Sequence, residues 1–172
     1  MKELRGTASA AVAASAQDCV QFLAAVDRYP SWYPEVVREV EVLERERGAR
    51  PTRARTVLHV ARGPLVKDID LVLAIAVQER CEVKLTRVPE HPGDQERFAI
   101  VWRLDRNGET EIEAGIGTGT KVALELDASL AVPRLVPLGG VGEAFAESFL
   151  AAAVRALGLP RSSSGARQGA SA

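Results

Sequence analysis

The sequence predicts an α+β domain: a curved antiparallel sheet of about seven strands, wrapped around one long C-terminal helix, with two short helices after the first strand. Three observations predict it. Between residues 37 and 131 apolar residues recur with a period of two, and each run has one apolar face. A long helical stripe follows at roughly 141–157, stopped by Gly158 and Pro160. Ahead of the strands, Pro30 and Pro34 bracket a very short helix crowded with Tyr29, Trp32 and Tyr33. A length of 172 residues fits one domain with a substantial core and leaves little room for a second. The domain is expected over 1–160. Arg161 to Ala172 is rich in Ser, Gly and Ala with no large apolar residue, which predicts a disordered tail.

The elements follow in order. Ala14-Ser15-Ala16 resembles a signal-peptidase site, but Val12 is the only large apolar residue between Arg5 and Gln17, too little for a secretory core. A first strand over 7–14 is expected instead. Ser15, with Asp18 three residues on, is a helix N-cap pattern. Cys19, Val20, Phe22, Leu23 and Val26 then share one helical face. Strands are expected over about 37–46, 53–61, 67–78, 82–88 and 96–104. Gly48–Pro51, Gly63-Pro64 and the loop 91–94 make the turns. Asn107-Gly108 is a hairpin signal, because both residues tolerate positive φ. A further strand over 109–116, a bulged crossing at Gly115, Gly117 and Gly119, and a strand over 120–131 complete the sheet. The last helix sets Val141, Phe145, Phe149, Leu150, Val154 and Leu157 on one stripe.

Composition removes several functions. Lys and Arg total 22 against 23 Asp and Glu, for a net charge of −1, unlike a protein that must neutralise phosphates, so no nucleic-acid partner is expected. Cys19, Cys81, His59 and His91 show no short ligand spacing, so neither a metal nor another cofactor is expected. Cys19 reads as a small buried hydrophobe and Cys81 as a turn residue. No apolar run reaches the length of a membrane span, and a cytoplasmic location is expected. Glycines at 115, 117 and 119 lack the strand-to-helix context and the Lys-Ser/Thr of a phosphate loop.

Few side chains carry chemistry. His59, Asp68 and Asp70 fall together if 62–65 forms the turn, but strand parity puts them on the solvated face, out of reach of a bound substrate. Arg87 shares the inward parity of Val83 and Leu85. It either reaches the rim as a structural group or meets an anionic oxygen of a ligand. Trp32, Tyr33 and Trp102 either line a cavity or pack as core. The arginines at 45, 47, 50, 53 and 55 interleave with Glu39, Glu41, Glu44 and Glu46, which describes a solvated hairpin. The last helix is rich in alanine, which suggests a space left open between helix and sheet, and an apolar cavity is the default small-ligand site.

The segments Val26-Asp27-Arg28-Tyr29-Pro30-Ser31-Trp32-Tyr33-Pro34, Val40-Glu41-Val42-Leu43-Glu44 and Gly119-Thr120-Lys121-Val122 resemble the START-like superfamily. Its members include polyketide cyclase/dehydrase-type, coenzyme-Q-binding START-type and birch-pollen-allergen-like proteins. The resemblance covers about residues 5–158. It implies a helix-grip fold with a cavity for a lipid, isoprenoid, sterol or polyketide. It also implies that the short helix guards the cavity mouth. The expected function is binding of a hydrophobic small molecule, for transport or sequestration. The alternative is a cofactor-free polyketide cyclase or aromatase performing aldol cyclisation and dehydration, with Arg87 or Tyr33 as the acid/base group. The expected ligand contacts are Leu58, Leu71, Leu73, Leu85, Arg87, Phe98, Ile100, Trp102 and Leu124 from the sheet. Trp32 and Tyr33 join them from the short helix, and Phe145 and Phe149 from the last one.

Overall fold

The computed structural model describes residues 2–62, 65–78, 81–112, 115–130 and 140–158. The chain runs β1 (Lys2–Val12), α1 (Ala16–Ala24), a 3-10 turn (Val26–Arg28), α2 (Tyr29–Trp32), β2 (Val37–Arg45), β3 (Pro51–Arg62), β4 (Leu65–Gln78), β5 (Glu82–Arg87), β6 (Arg97–Ile112), β7 (Gly115–Leu130) and α3 (Val141–Gly158). The strands form one antiparallel sheet in the order β1-β7-β6-β5-β4-β3-β2. This is the helix-grip architecture the sequence predicts. The tail and the Gly63-Pro64 turn lie outside the described residues.

Alternation places one face of each strand in the core. Leu71, Leu73 and Ile75 of β4, Val83 and Leu85 of β5, Ile100, Trp102 and Leu104 of β6, and Val122, Leu124 and Leu126 of β7 are all buried. The register sets them opposite one another, as in Ile75–Leu85 and Leu85–Ile100. At the start of α1, the Asp18 N–H donates to Ser15 Oγ at 3.1 Å, and the Ser15 hydroxyl donates to Asp18 Oδ2 at 2.8 Å. The cap pattern in the sequence therefore forms as expected.

Four details differ from the sequence reading. β1 begins at Lys2 rather than residue 7, because Lys2 to Val12 pair without interruption along β7. Asn107-Gly108 is not a hairpin turn. β6 continues through it to Ile112, and the pairs Asn107–Gly119 and Thr110–Gly117 enclose one extra residue on β6, a bulge. The expected strand over 109–116 is consequently the end of β6 and the start of β7. Gly115, Gly117 and Gly119 are paired ladder positions, not a crossing.

The fourth difference is the buried stripe of α3. Gly142, Ala146, Phe149, Leu150, Ala152 and Ala153 are buried, while Phe145, Val154 and Leu157 are only partly so. Small residues here draw the helix against the sheet instead of leaving a gap. The crossing is tightest at Gly6 and Gly142: a Cβ on Gly6 would lie 2.1 Å from the Gly142 carbonyl oxygen, and one on Gly142 would lie 2.1 Å from that of Arg5.

Candidate functional site

A cavity of about 20 Å³ survives between the sheet and α3. Inward positions of five strands meet there: Val37 and Val40 of β2, Thr56 and Leu58 of β3, Leu73 of β4, Leu85 of β5, and Phe98 and Ile100 of β6. The pairs Val37–Leu58, Val40–Thr56 and Leu85–Ile100 show how the register gathers them. Val26 and Tyr29 close it from the turn and α2, and Phe145 and Phe149 from α3. The wall is almost wholly hydrocarbon. The volume is about what one water needs, so a larger guest must displace lining side chains. A wider groove of about 330 Å³ runs along the outer edge of β1 beside Ala151 and Val154, open to solvent.

Of the contacts expected from sequence, Leu58, Leu73, Leu85, Phe98, Ile100, Phe145 and Phe149 line this cavity. Leu71, Trp102 and Leu124 are buried in the core but lie outside its lining. Trp32 and Tyr33 stand behind it. Trp32 packs against Phe22, Tyr29 and Phe149 with ring centroids 5.1, 4.7 and 5.7 Å apart. Tyr33 stacks on Phe149 at 4.9 Å, and its hydroxyl shares a 2.8 Å hydrogen bond with that of Ser148. Burial pushes the Tyr33 phenol up, and the Ser148 contact pulls it partly back. Trp102 meets the same Phe149 ring edge-on at 5.2 Å. Phe149 therefore joins α2, the sheet and the cavity.

Arg87 faces inward but is occupied. Its side chain is 5% exposed, and Nη1 donates to Asp94 Oδ2 at 2.6 Å and to the Glu96 carbonyl at 3.1 Å. Nη2 lies 3.4 Å from Glu96 Oε2 and 3.6 Å from Glu90 Oε1. Asp94 also accepts the backbone N–H groups of Glu90 and Glu96, each at 3.0 Å. Those two N–H groups, followed by Arg87, hold its carboxyl down at about 2. The arginine thus pins the β5–β6 connection, and no atom of it lines the cavity.

The outer face carries the remaining charges. His59 Nδ1 lies 2.7 Å from Asp68 Oδ1, across the register pair expected from parity. Asp70 binds Arg55 instead, with Arg55 Nε 3.0 Å from both carboxylate oxygens. Arg45, Arg50 and Arg53 pair with Asp27, Glu46 and Glu44. Among the described residues, no group of three His, Cys, Asp or Glu side chains is placed to hold a metal.

Sequence reasoning missed Thr56, Tyr29, Val26, Val37 and Val40. Thr56 stands two residues before Leu58 on β3 and so shares its inward parity, the signal that could have found it. Tyr29 lines the cavity with its ring, while its hydroxyl donates to the Leu23 carbonyl at 2.6 Å. Burial raises the phenol far above its ordinary value, with the nearby Trp102 indole opposing, so it stays neutral.

A family model described as polyketide cyclase / dehydrase and lipid transport matches residues 12–156. The chain belongs to this family. Solved structures bear out the START-like fold of this polyketide cyclase/dehydrase-type chain. A START superfamily protein from Mycobacterium smegmatis superposes with a TM-score of 0.66 at 18% identity, over 90% of this chain and 97% of its own. A protein from Thermus thermophilus gives 0.62 at 19% identity, over 89% and 96%. Ginseng major latex-like protein 151 from Panax ginseng gives 0.55 at 14% identity, over 91% and 99%. No curated protein sequence matches. No helix among the described residues is long and apolar enough to cross a membrane.

Proposed function

We propose that this family member binds a hydrophobic small molecule, a lipid, isoprenoid or polyketide, between the sheet and α3, and carries or sequesters it. The observation that carries the reading is the near-complete hydrocarbon wall drawn from β2 to β6, α2 and α3. Its favourable term is apolar burial, about 25 cal/mol per Å². The cavity as it stands holds only about 20 Å³, so the guest selects a widened form, and its apparent affinity is reduced by the rarity of that form. The opening is expected at Phe145, Phe149 and α2, the part of the wall built from a four-residue helix and one helix face.

Binding is favoured over cyclisation by what the two acid/base candidates do. Arg87 is held by Asp94, Glu90 and Glu96, and Tyr33 by Ser148, and neither lines the cavity. A thermal-shift panel of long-chain alcohols, isoprenoids and fused-ring polyketide analogues tests the reading. A ligand at a hundred times its Kd adds about 2.7 kcal/mol, which is about 5–10 °C for a chain of this size. Absence of a shift across the whole panel overturns it.

A further inference from the structure

The cavity wall also says which hydrophobic molecules fit best. Resting on the binding reading above, we propose that the ligand is neutral and carries one oxygen function, a hydroxyl or a ketone, and that the Thr56 hydroxyl is its hydrogen-bonding partner. Thr56 lines the cavity, is 4% exposed, and its Oγ1 has no hydrogen-bond partner among the described residues. The surroundings explain why. Its register neighbours are Val40 on β2 and Leu71 on β4, and its same-face neighbours on β3 are Ala54 and Leu58. None offers a side-chain donor or acceptor. The other polar group in the wall, the Tyr29 hydroxyl, is already given to the Leu23 carbonyl.

A buried hydroxyl without a partner costs stability, whereas valine has the same shape and no such cost. Threonine at this position is therefore a local disadvantage in the empty protein, and a ligand oxygen turns it into a contact. The ligand is neutral because no Lys, Arg or His among the described residues lines the cavity, and Arg87, the register partner of Leu73, is taken up by Asp94, Glu90 and Glu96. A carboxylate or phosphate buried there would have no counter-charge.

The test uses three probes of one size, 2-naphthol, 2-methylnaphthalene and 2-naphthoate, titrated into the wild type, Thr56→Val and Thr56→Ser. Each ring demands the same opening of the cavity, so the comparison isolates the substituent. Thr56→Val should weaken 2-naphthol by about five- to tenfold and leave 2-methylnaphthalene within about twofold. Thr56→Ser should retain most of the 2-naphthol affinity. The wild type should bind 2-naphthoate at least about tenfold more weakly than 2-naphthol. Without any probe, Thr56→Val should melt about 2–4 °C higher. Equal losses for both neutral probes, or naphthoate bound as well as naphthol, overturn the Thr56 assignment while leaving the cavity reading intact. So does an unliganded Thr56→Val that melts no higher than the wild type, which would mean that the hydroxyl already has a partner. Failure of the wild type to bind either neutral probe overturns the cavity reading and the assignment together.

Discussion

Replacing Gly142 by alanine sets two physical effects against each other. Helix propensity alone favours alanine by up to about 1 kcal/mol. The structure predicts the opposite sign. The new Cβ would lie 2.1 Å from the Arg5 carbonyl oxygen, 2.6 Å from its carbon and 2.9 Å from the Arg5 nitrogen. All three are backbone atoms of β1, which no side-chain rotation can clear. Reaching ordinary contact at 3.4 Å requires α3 or β1 to retreat by about 1.3 Å, the difference from 2.1 Å. Overpacking of this kind costs about 1–3 kcal/mol, so the net loss is up to about 2 kcal/mol, or more where the ladder to β7 resists. Gly158, on the same helix, is the control: a Cβ there meets nothing within 4 Å. Urea unfolding monitored by circular dichroism should give a lower midpoint for Gly142→Ala and an equal or higher one for Gly158→Ala, at constant slope. A higher midpoint for Gly142→Ala refutes the reasoning, since the close crossing would then not restrain the helix.

Further outcomes follow from other contacts. Phe149→Ala removes the ring shared by α2, Trp102 and the cavity, and should cost about 3–5 kcal/mol in thermal or urea unfolding. Tyr33→Phe keeps the stack on Phe149 and loses the Ser148 bond, so it should cost only about 0.5–1.5 kcal/mol by the same measurement. Asp94 is held at about 2 in the folded chain, below its ordinary value of 3.8. A carboxyl lowered on folding contributes stability above its unfolded pKa, and that contribution disappears as pH falls from about 4 through about 2. Acid titration of the unfolding midpoint should show this loss, and Asp94→Asn should flatten it. Arg87→Met should speed hydrogen exchange of the backbone amides of Glu90 and Glu96 with little change in β4, because the cation fixes the connection rather than the sheet.

Much of this fold is legible from alternation alone. The inward faces of β3 to β7, the Ser15 cap and the His59–Asp68 pairing all follow from local periods and parity. What escaped depends on distances between segments far apart in sequence. Alanine on α3 reads as missing volume until its backbone is known to touch β1, after which the same residues are what permits the approach. Asn107-Gly108 suits a tight turn locally, but β7 offers a longer partner, and the pair is absorbed in a bulge. The inward direction of Arg87 was legible from parity. Its occupation by Asp94 and Glu96 was not, because those acids reach it from an irregular loop. The expected contacts favoured large apolar residues, and so missed Thr56, whose interest lies in a polar atom among hydrocarbons.

The pairing of β1 with β7 has a kinetic consequence. Lys2 stands opposite Leu130, and Gly6 presses on Gly142, so β1 has no ladder partner until β7, at Gly115–Leu130, has been made. β2 to β6 can assemble as a meander of neighbours, each closing a short loop. β1 must then wait, and its capture closes a loop of more than about a hundred residues, the kind of non-local contact that slows folding. During synthesis the N-terminal strand is thus the last part of the sheet to dock. The edge of β7 away from β6, and the side of α3 that packs on β1, stay exposed until it does, the interval in which such a chain is most open to aggregation.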